Sequence, residues 1–365
     1  MTATLFTPVD LAGRTASNRV MVSPMCQYSC ERTDGVATDW HVQHLTSRAV
    51  GGAGIVMTEA TAVEDRGRIT PTDLGIWTDD QAEALADIAT FIDDQGSLPA
   101  IQLAHAGRKA SKTRPADGSE PLQPGDGGWE TLGPTAEPWP HEGQPPATRR
   151  MDDDDLATVR DAFADAARRA DDAGFEIAEI HAAHGYLLHE FLSPAVNDRD
   201  DEYGGSFANR IRFPLEVVDA VRGVWPDEKP LFVRISATDW LPDRQSWTVG
   251  QSVRFAEHAA EHGVDLIDVS AGGAHPDQQL PDAGPGYQVP FAQQIRSACS
   301  AGLLVGAVGG ITTPEQADAL VRNGRADLAI LGREHLRDPY FTLHAADALD
   351  RMEAVEIPRQ YRRAF

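Results

Sequence analysis

Eight short apolar segments recur along this 365-residue chain, and a stretch with helical periodicity follows each of them. Segments rich in β-branched residues favour buried strands, and strands that alternate with helices favour a parallel sheet. A count of eight predicts that the sheet closes into a (β/α)8 TIM barrel. An open doubly wound sheet is the alternative, but no G-x-G-x-x-G motif follows the first segment. The predicted strands are 19–22, 54–60, 99–105, the segment that starts at 175, 230–236, 264–270, 303–308 and 326–331.

The chain is predicted to be a single domain, 1–365, with two irregular parts. Residues 111–150, after the third strand, are rich in Pro, Gly and Trp and lack a helical period, which is typical of a functional loop. We expect this segment to form a lid over the mouth of the barrel. Pro358 stops the last helix, and we expect the tail 358–365 to dock on another surface. The predicted helices are 39–50, 79–95, 152–173, 209–224, 249–262, 289–299, 314–323 and 340–351.

The charge of the chain is strongly negative. Acidic residues number 56 against 32 basic residues, which gives a net charge of −24. The acidic residues are spread along the whole chain, so they indicate a solvated, self-repelling surface that counter-ions screen. This pattern favours a salt-rich cytoplasm and a halophilic source. Nucleic acid is excluded as a favoured partner because its phosphates would be repelled.

The cysteine count and the hydropathy pattern limit the class further. Three cysteines are too few for a disulfide framework or for an iron–sulfur cluster held by four cysteines. No apolar run reaches the length of a membrane span, and the start of the chain lacks the pattern of a secretory signal. We therefore expect a soluble, cytoplasmic protein.

Two histidines and a tyrosine follow the fourth predicted strand. His181, His184 and Tyr186 lie where that strand ends, and this end of a barrel strand is where catalytic groups are placed. Two imidazoles can donate hydrogen bonds to one oxygen, and a phenol can act as a general acid. The alternatives are two structural histidines or a zinc site with His189 or Glu190 as the third ligand.

Polar and glycine-rich strand ends mark a second group of candidates. Gly309-Gly310 and Gly332-Arg333 follow the seventh and eighth strands, where barrels commonly bind phosphate. Gln102 and Arg234 lie on or at the end of the third and fifth strands. A buried arginine needs a partner, so Arg234 either pairs with Glu59 or Glu179 or lies beside a ring that becomes anionic.

Several motifs together resemble the old yellow enzyme family of flavin-dependent ene-reductases. The most specific motifs are 23–28 (SPMCQY), 102–109 (QLAHAGRK) and 181–188 (HAAHGYLL), supported by 191–194 with Asn197 and by 200–210. Cys26, Tyr28 and the ending 360–363 (QYRR) are similar to the thermophilic-like class. The chain departs from that class at its last residues, where Ala364 and Phe365 replace the usual Gly-Trp.

The resemblance implies FMN over the strand ends and NADPH or NADH as the electron donor. It implies that His181 and His184 hold the carbonyl oxygen of an enone-type substrate and that Tyr186 donates the proton. Cys26 would tune the flavin, or would be a small buried hydrophobe. The implied further substrate contacts are Tyr28, Lys109 and, in a homo-oligomer built from dimers, Arg363 of a neighbouring subunit. The implied cofactor contacts are Ser23, Pro24, Met25, Cys26, Ala60, Gln102, Arg234, Gly309, Gly310, Gly332 and Arg333.

Three other functions are alternatives to this one. The 2,4-dienoyl-CoA reductases carry an iron–sulfur cluster and a further dinucleotide-binding domain, for which this chain is too short and too poor in cysteine. A zinc-dependent hydrolase would use His181 and His184 as ligands. A non-catalytic flavin-binding protein is the third alternative, but it would not explain why the paired histidines and Tyr186 lie together. The sequence therefore predicts a reductase of activated C=C bonds.

Overall fold

The computed structural model describes residues 4–141, 143–299 and 302–364. Its centre is a closed barrel of eight parallel strands in sequential order. The last strand pairs with the first, Ile330 opposite Met21, so the sheet has no open edge. The prediction of a (β/α)8 barrel is confirmed, and the open doubly wound alternative is wrong. The strands are β1 (Val20–Val22), β2 (Ile55–Ala62), β3 (Leu98–Ala104), β4 (Ile177–Ala182), β5 (Leu231–Ser236), β6 (Leu266–Ser270), β7 (Leu304–Ala307) and β8 (Leu328–Leu331).

Ten α-helices lie in the described residues, two more than the sequence predicted. The additional ones, α4 and α9, have six and five residues. Helices this short present too little of a 3.6-residue period to be recognised in a sequence. The helices are α1 (Asp39–Val50), α2 (Asp79–Asp94), α3 (Asp153–Asp172), α4 (Leu187–Leu192), α5 (Phe207–Arg222), α6 (Val249–Glu261), α7 (Val289–Ala298), α8 (Pro314–Arg322), α9 (Arg333–Arg337) and α10 (Phe341–Ala348).

Local capping residues set where several helices begin. In α2, α6 and α8 a threonine precedes the helix and a glutamine follows three residues later. Each side chain bonds to the backbone N–H of the other residue, which satisfies N–H groups that have no partner inside the helix. The pairs are Thr78 with Gln81, Thr248 with Gln251, and Thr313 with Gln316.

Two apolar clusters enclose the strands. One fills the interior of the barrel, and an N-terminal hairpin of Val9–Leu11 and Arg14–Ala16 packs against it. The larger cluster lies between the outer face of the strands and the helices. Since both faces of each strand are covered, the strands are continuous apolar runs rather than alternating ones. The polar side chains near the strand ends are therefore exceptions and mark the site.

The segment 111–150 lies against the carboxyl ends of β2 and β3. It contains two short paired strands, Thr131–Gly133 and Thr148–Arg150, and no α-helix among its described residues. The indole N–H of Trp129 donates to the carbonyl of Arg66, 2.8 Å away, in the loop after β2. The position at this end of the barrel is compatible with the expected lid.

The described part of the C-terminal tail contacts the start of α10. The rings of Tyr361 and Tyr340 lie 6.1 Å apart between centres. Arg363 and its neighbours are exposed. Phe365, part of the predicted docking tail, lies outside the described residues.

Across residues 4–141, 143–299 and 302–364, no helix combines the length and the apolar character that a membrane crossing requires.

Candidate active site

His181, His184 and Tyr186 converge at the carboxyl end of β4. The rings of His181 and His184 are 5.1 Å apart between centres, and those of His181 and Tyr186 are 5.2 Å apart. The atoms that approach most closely are His181 Nε2 and His184 Nδ1, at 3.3 Å. The structure therefore brings together the three residues that the sequence predicted to act together.

A sharp turn of the backbone produces this arrangement. His184 and Gly185 both adopt the left-handed conformation, with φ of 59° and 72°. A Cβ atom on Gly185 would lie 1.9 Å from the carbonyl oxygen of Gly273, so only glycine fits there. The turn reverses the chain into α4 and places Tyr186 beside His181.

Burial determines the protonation of these three side chains. Desolvation, followed by the positive charge of Arg234, lowers the pKa of His181 and His184 well below the usual value. Both imidazoles are therefore neutral at neutral pH, and each carries one N–H. Desolvation also raises the pKa of Tyr186 well above its usual value, so the phenol keeps its proton.

His189, one of the two further zinc ligands considered, supports the turn. Its Nδ1 accepts a hydrogen bond of 2.8 Å from the backbone N–H of Gly185. Its Nε2 lies 2.9 Å from Asp239 Oδ1, and both side chains are fully buried. Asp239 also accepts from the hydroxyl of Ser193 at 2.6 Å and from the backbone N–H of Trp247 at 2.7 Å. This network connects the loop of β4 to the loop of β5.

Glu190, the other proposed zinc ligand, lies against Arg108. Its Oε1 accepts from the backbone N–H of Arg108 at 3.1 Å and lies 3.5 Å from the guanidinium Nε. Burial raises the pKa of Glu190 to about 8, although Arg108 opposes this shift. Among the described residues, no group of three His, Cys, Asp or Glu side chains is placed to hold a metal ion. His189 and Glu190, the two further zinc ligands considered, thus both have other partners in the structure.

Lys109 connects the segment 111–150 to the loop after β4. Its ammonium donates to the carbonyl oxygens of His184 at 2.7 Å and Gly273 at 3.1 Å. The same ammonium lies 5.0 Å from the centre of the Tyr186 ring and 4.4 Å from that of Trp139. Burial lowers the pKa of Lys109 to about 7. Lys109 thus holds Trp139 of the predicted lid next to the candidate general acid.

Cys26 and Tyr28 lie in the segment between β1 and α1. Cys26 and Tyr186 pack on the same small apolar cluster. Burial raises the pKa of the Cys26 thiol well above its usual value. Cys26 is therefore a neutral thiol, and Tyr28, with φ of 53°, is held in a left-handed conformation beside it.

The predicted partners of Arg234 were wrong. Arg234 Nε lies 3.1 Å from Asp268 Oδ2, directly opposite on the neighbouring strand β6. Glu59 instead lies 3.2 Å from His41 Nε2, and Glu179 accepts a hydrogen bond of 2.7 Å from the amide of Gln102. The register between β3 and β4 sets Gln102 opposite Glu179, and the register between β5 and β6 sets Arg234 opposite Asp268.

A cavity of about 450 Å³ opens beside Arg234 at the ends of β7 and β8. Six predicted residues line it: Met25, Arg234, Gly309, Gly310, Gly332 and Arg333. Thirteen residues that the sequence did not predict also line it, among them Ser270, Tyr287, Gln288 and Arg337. Ser270 was detectable as the last polar residue of a predicted strand. The other three lie in loops and short helices that no local pattern connects to the site.

The remaining predicted residues do not line this cavity. Most of them lie at or near the ends of β1, β2 and β3, and Arg363 lies on the tail. Ser23 is buried at the end of β1, where its N–H donates to the carbonyl of Leu331 at 2.9 Å, and Pro24 follows it directly. Ala60 lies opposite Gln102, just after an irregularity in the pairing of β2 and β3. Arg363 lies on the exposed tail and is not among the residues that line the cavity.

The residues of the cavity fit FMN. A Cβ atom on Gly309, which has φ of 118°, would lie 2.6 Å from Gln288 Nε2, so this glycine keeps the backbone close to the cavity. Glycine backbone and the guanidinium of Arg333 suit a phosphate. Buried Arg234 Nε lacks a well-aligned hydrogen-bond partner among the described residues. A cation at this place suits a ring that gains negative charge when it is reduced.

Comparisons with known proteins identify the family of the chain. A model of the NADH:flavin oxidoreductase / NADH oxidase family matches residues 4–351. The NADPH dehydrogenase of Geobacillus thermodenitrificans (strain NG80-2) is 46% identical over 365 residues, which cover 100% of this chain and 99% of the relative. The old yellow enzyme homologue from Zymomonas mobilis superposes with a TM-score of 0.77 at 26% identity, over 95% of this chain and 93% of the other.

A complex of 2-naphthoyl-CoA reductase with 2-naphthoyl-CoA superposes with a TM-score of 0.85 at 25% identity. The match covers 97% of this chain, which spans about half, 53%, of that longer one. FMN and NAD(P)H are the cofactor and electron donor that these comparisons support. The chain therefore belongs to the NADH:flavin oxidoreductase / NADH oxidase family and is an old yellow enzyme-like, FMN-dependent NAD(P)H oxidoreductase.

Proposed function

We propose that the enzyme is an ene-reductase that reduces the C=C bond of α,β-unsaturated carbonyl compounds. The observation that carries this proposal is the convergence of His181 Nε2 and His184 Nδ1, 3.3 Å apart, with the protonated phenol of Tyr186 beside them. Neutral imidazole donors and a neutral phenol suit a reaction that places charge on an oxygen and a proton on a carbon.

The two histidines bind the carbonyl oxygen of the substrate. FMN, when bound and reduced, supplies the hydride for the β-carbon. Negative charge then develops on the carbonyl oxygen, and two N–H donors aimed at that oxygen stabilise the charge. The histidines are held in place before substrate arrives, because His189 and Asp239 fix the turn that carries His184.

Tyr186 donates the proton to the α-carbon. Its raised pKa keeps the phenol protonated until the substrate oxygen is negatively charged. Tyr28 offers a second hydrogen bond to the substrate, and Lys109 holds the Tyr186 ring from the side of Trp139. Residues 111–150 act as the lid. Cys26 tunes the flavin as a neutral thiol.

We assign the remaining predicted residues to FMN. The ring side of the site consists of Ser23, Pro24, Met25, Cys26, Ala60, Gln102 and Arg234. Gly309, Gly310, Gly332 and Arg333 take the phosphate. A relative named NADPH dehydrogenase supports NADPH as the donor.

Anaerobic single-turnover kinetics test the proposal. We expect NADPH to bleach the flavin absorbance and an enone such as cyclohexenone to restore it, with the saturated ketone as product. A reduced flavin that oxygen reoxidises but that enones leave unchanged over many minutes would contradict ene-reduction. A non-catalytic flavin-binding protein would not be bleached at a useful rate.

We further propose an assembly of the thermophilic-like class: a homo-oligomer built from dimers, in which Arg363 lines the partner's substrate site. The support is that Tyr361 anchors the tail on Tyr340 and leaves Arg363 exposed. Two-fold symmetry would let each subunit lend one tail and receive one.

The net charge of −24 supports a halophilic, cytoplasmic protein. Ionic strength shortens the Debye length from about 10 Å at 0.1 M salt to about 3 Å at 1 M, which screens repulsion among carboxylates. We expect the melting temperature to rise with potassium chloride concentration. A maximum in dilute buffer would argue against this origin.

A further inference from the structure

Ser270, the last residue of β6, contacts the ring of His184. Its hydroxyl oxygen lies 2.8 Å from His184 Nε2, and the side chain is 5% exposed. None of the motifs that suggested the function includes Ser270. It comes from a strand that is 86 residues away from His184 in the sequence.

The position of the single proton on each neutral imidazole decides which ring nitrogen can donate. His181 Nδ1 accepts a hydrogen bond from the backbone N–H of Ala183 at 3.3 Å, so its proton is on Nε2. In His184 the proton is on Nδ1 or on Nε2, depending on whether Ser270 donates to Nε2 or accepts from it. The direction of that one hydrogen bond is therefore decisive.

The surroundings of Ser270 favour donation to His184. Besides His184 Nε2, the acceptor within reach among the described residues is Gln288 Oε1, at 3.5 Å. The amide of Gln288 cannot usefully rotate, because its Nε2 donates to the carbonyl of Val308 at 3.0 Å. A hydroxyl at 2.8 Å makes a normal hydrogen bond and one at 3.5 Å makes at best a weak one. If His184 donated instead, the buried Ser270 proton would have only the long contact.

We infer that Ser270 is a positioning residue that fixes the proton of His184 on Nδ1. With this tautomer His181 Nε2 and His184 Nδ1, 3.3 Å apart, both carry an N–H, so both are available to donate to one substrate oxygen. With the other tautomer, His181 donates to His184, and the pair offers no second N–H to a substrate oxygen. The inference rests on the proposed function, because it explains how two neutral histidines become two donors.

A neighbouring serine provides a matched control. Ser236 Oγ accepts from the backbone N–H of His184 at 2.9 Å and donates to the carbonyl of Gly272 at 2.7 Å. It holds the same histidine by its backbone and not by its ring. Ser236→Ala therefore perturbs the position of His184 without removing the partner of Nε2.

Nitrogen NMR of the FMN-loaded enzyme with isotope-labelled histidine tests the inference directly. We expect His184 in the wild type to be protonated on Nδ1. Ser270→Ala should convert it to the Nε2 tautomer or a mixture, while Ser270→Thr, which keeps a hydroxyl, should retain Nδ1–H. His181 should keep its Nε2 proton in all variants, and Ser236→Ala should keep the wild-type tautomer. Wild-type His184 protonated on Nε2, or a Ser270→Ala variant that retains Nδ1–H, would overturn the inference.

Binding of p-nitrophenolate, an oxyanion probe, gives a second readout. Loss of one hydrogen bond to a charged oxygen should weaken binding about 10- to 100-fold in Ser270→Ala, with recovery in Ser270→Thr. Unchanged affinity in Ser270→Ala would also overturn the inference. If the wild type binds no phenolate, the proposed substrate site is wrong, and the NMR spectrum without phenolate still decides the tautomer. If Ser270→Ala cannot be loaded with FMN, the wild-type and Ser270→Thr spectra decide it.

Discussion

Arg234 and Asp268 lie side by side on β5 and β6, with 3.1 Å between Nε and Oδ2. Both side chains are buried, and Arg234 lines the cavity that fits FMN. A carboxylate this close offsets the positive charge of Arg234, and burial at the same time raises the pKa of Asp268. The pair is therefore expected to influence how readily a bound flavin accepts electrons.

Asp268→Asn should raise the reduction potential of bound FMN, because the positive charge of Arg234 is then no longer offset. The shift should be on the order of 30 mV for each 1.4 kcal/mol of changed interaction. Equilibrium titration against a reference dye measures it. Asp94→Asn, an exposed change at the end of α2, is the control. An unchanged potential in Asp268→Asn would show that Asp268 is already neutral.

His181→Ala and His184→Ala should slow enone reduction by reduced enzyme about 10²- to 10³-fold each, because one donor to the developing oxyanion is lost. Flavin reduction by NADPH, followed in the same stopped-flow instrument, should change less. Enone rates equal to the wild type in both variants would remove the histidines from the proposed mechanism.

Tyr186→Phe should slow alkene reduction by roughly 10²- to 10⁴-fold, because the general acid is lost while the ring remains. A quinone, which can take its proton from elsewhere, should be reduced at nearly the wild-type rate. Equal losses on both substrates would instead indicate that Tyr186 is structural.

Glu190→Gln should flatten the pH dependence of stability. The pKa of Glu190 is about 8 in the folded protein, above its ordinary value of 4.5. The folded state therefore holds this proton more tightly, and its stabilising effect is complete below pH 4.5 and is lost as the pH rises through 8. The melting temperature of the wild type should fall more steeply from pH 6 to pH 9 than that of Glu190→Gln. Glu83→Gln, exposed on α2, should keep the wild-type slope, and parallel slopes for all three proteins would contradict the prediction.

Removal of residues 359–365 should raise KM for enones and weaken self-association while FMN is retained. The reason is that an exposed tail anchored by Tyr361 is proposed to complete a neighbouring site. Steady-state kinetics and light scattering measure the two effects. Arg363→Ala should reproduce the change in KM without the change in mass. A truncated enzyme with wild-type kinetics and mass would show that the tail is only surface.

The sequence alone determined the barrel and much of the site. Eight apolar runs bounded by helical patterns lead to one closed sheet, because parallel strands with helical crossovers bury both faces. His181, His184 and Tyr186 are predicted to act together because six consecutive residues, 181–186, carry them at the end of a single strand. The glycines after β7 and β8 were found for the same reason, since their place at a strand end is a local property.

Tertiary structure decided what depends on neighbours that are distant in sequence. Arg234 pairs with Asp268, and not with Glu59 or Glu179, because the register of β5 against β6 sets them opposite each other. Ser270 reaches His184 only after the barrel closes, and Lys109 meets Trp139 only after the segment 111–150 has packed against it. Hydrophobic periodicity specifies which face of an element is buried, but it carries no information about which polar side chains then come within hydrogen-bond distance. The sequence thus set the type and the place of the chemistry, while closure of the barrel set the partners that give each group its charge and its proton.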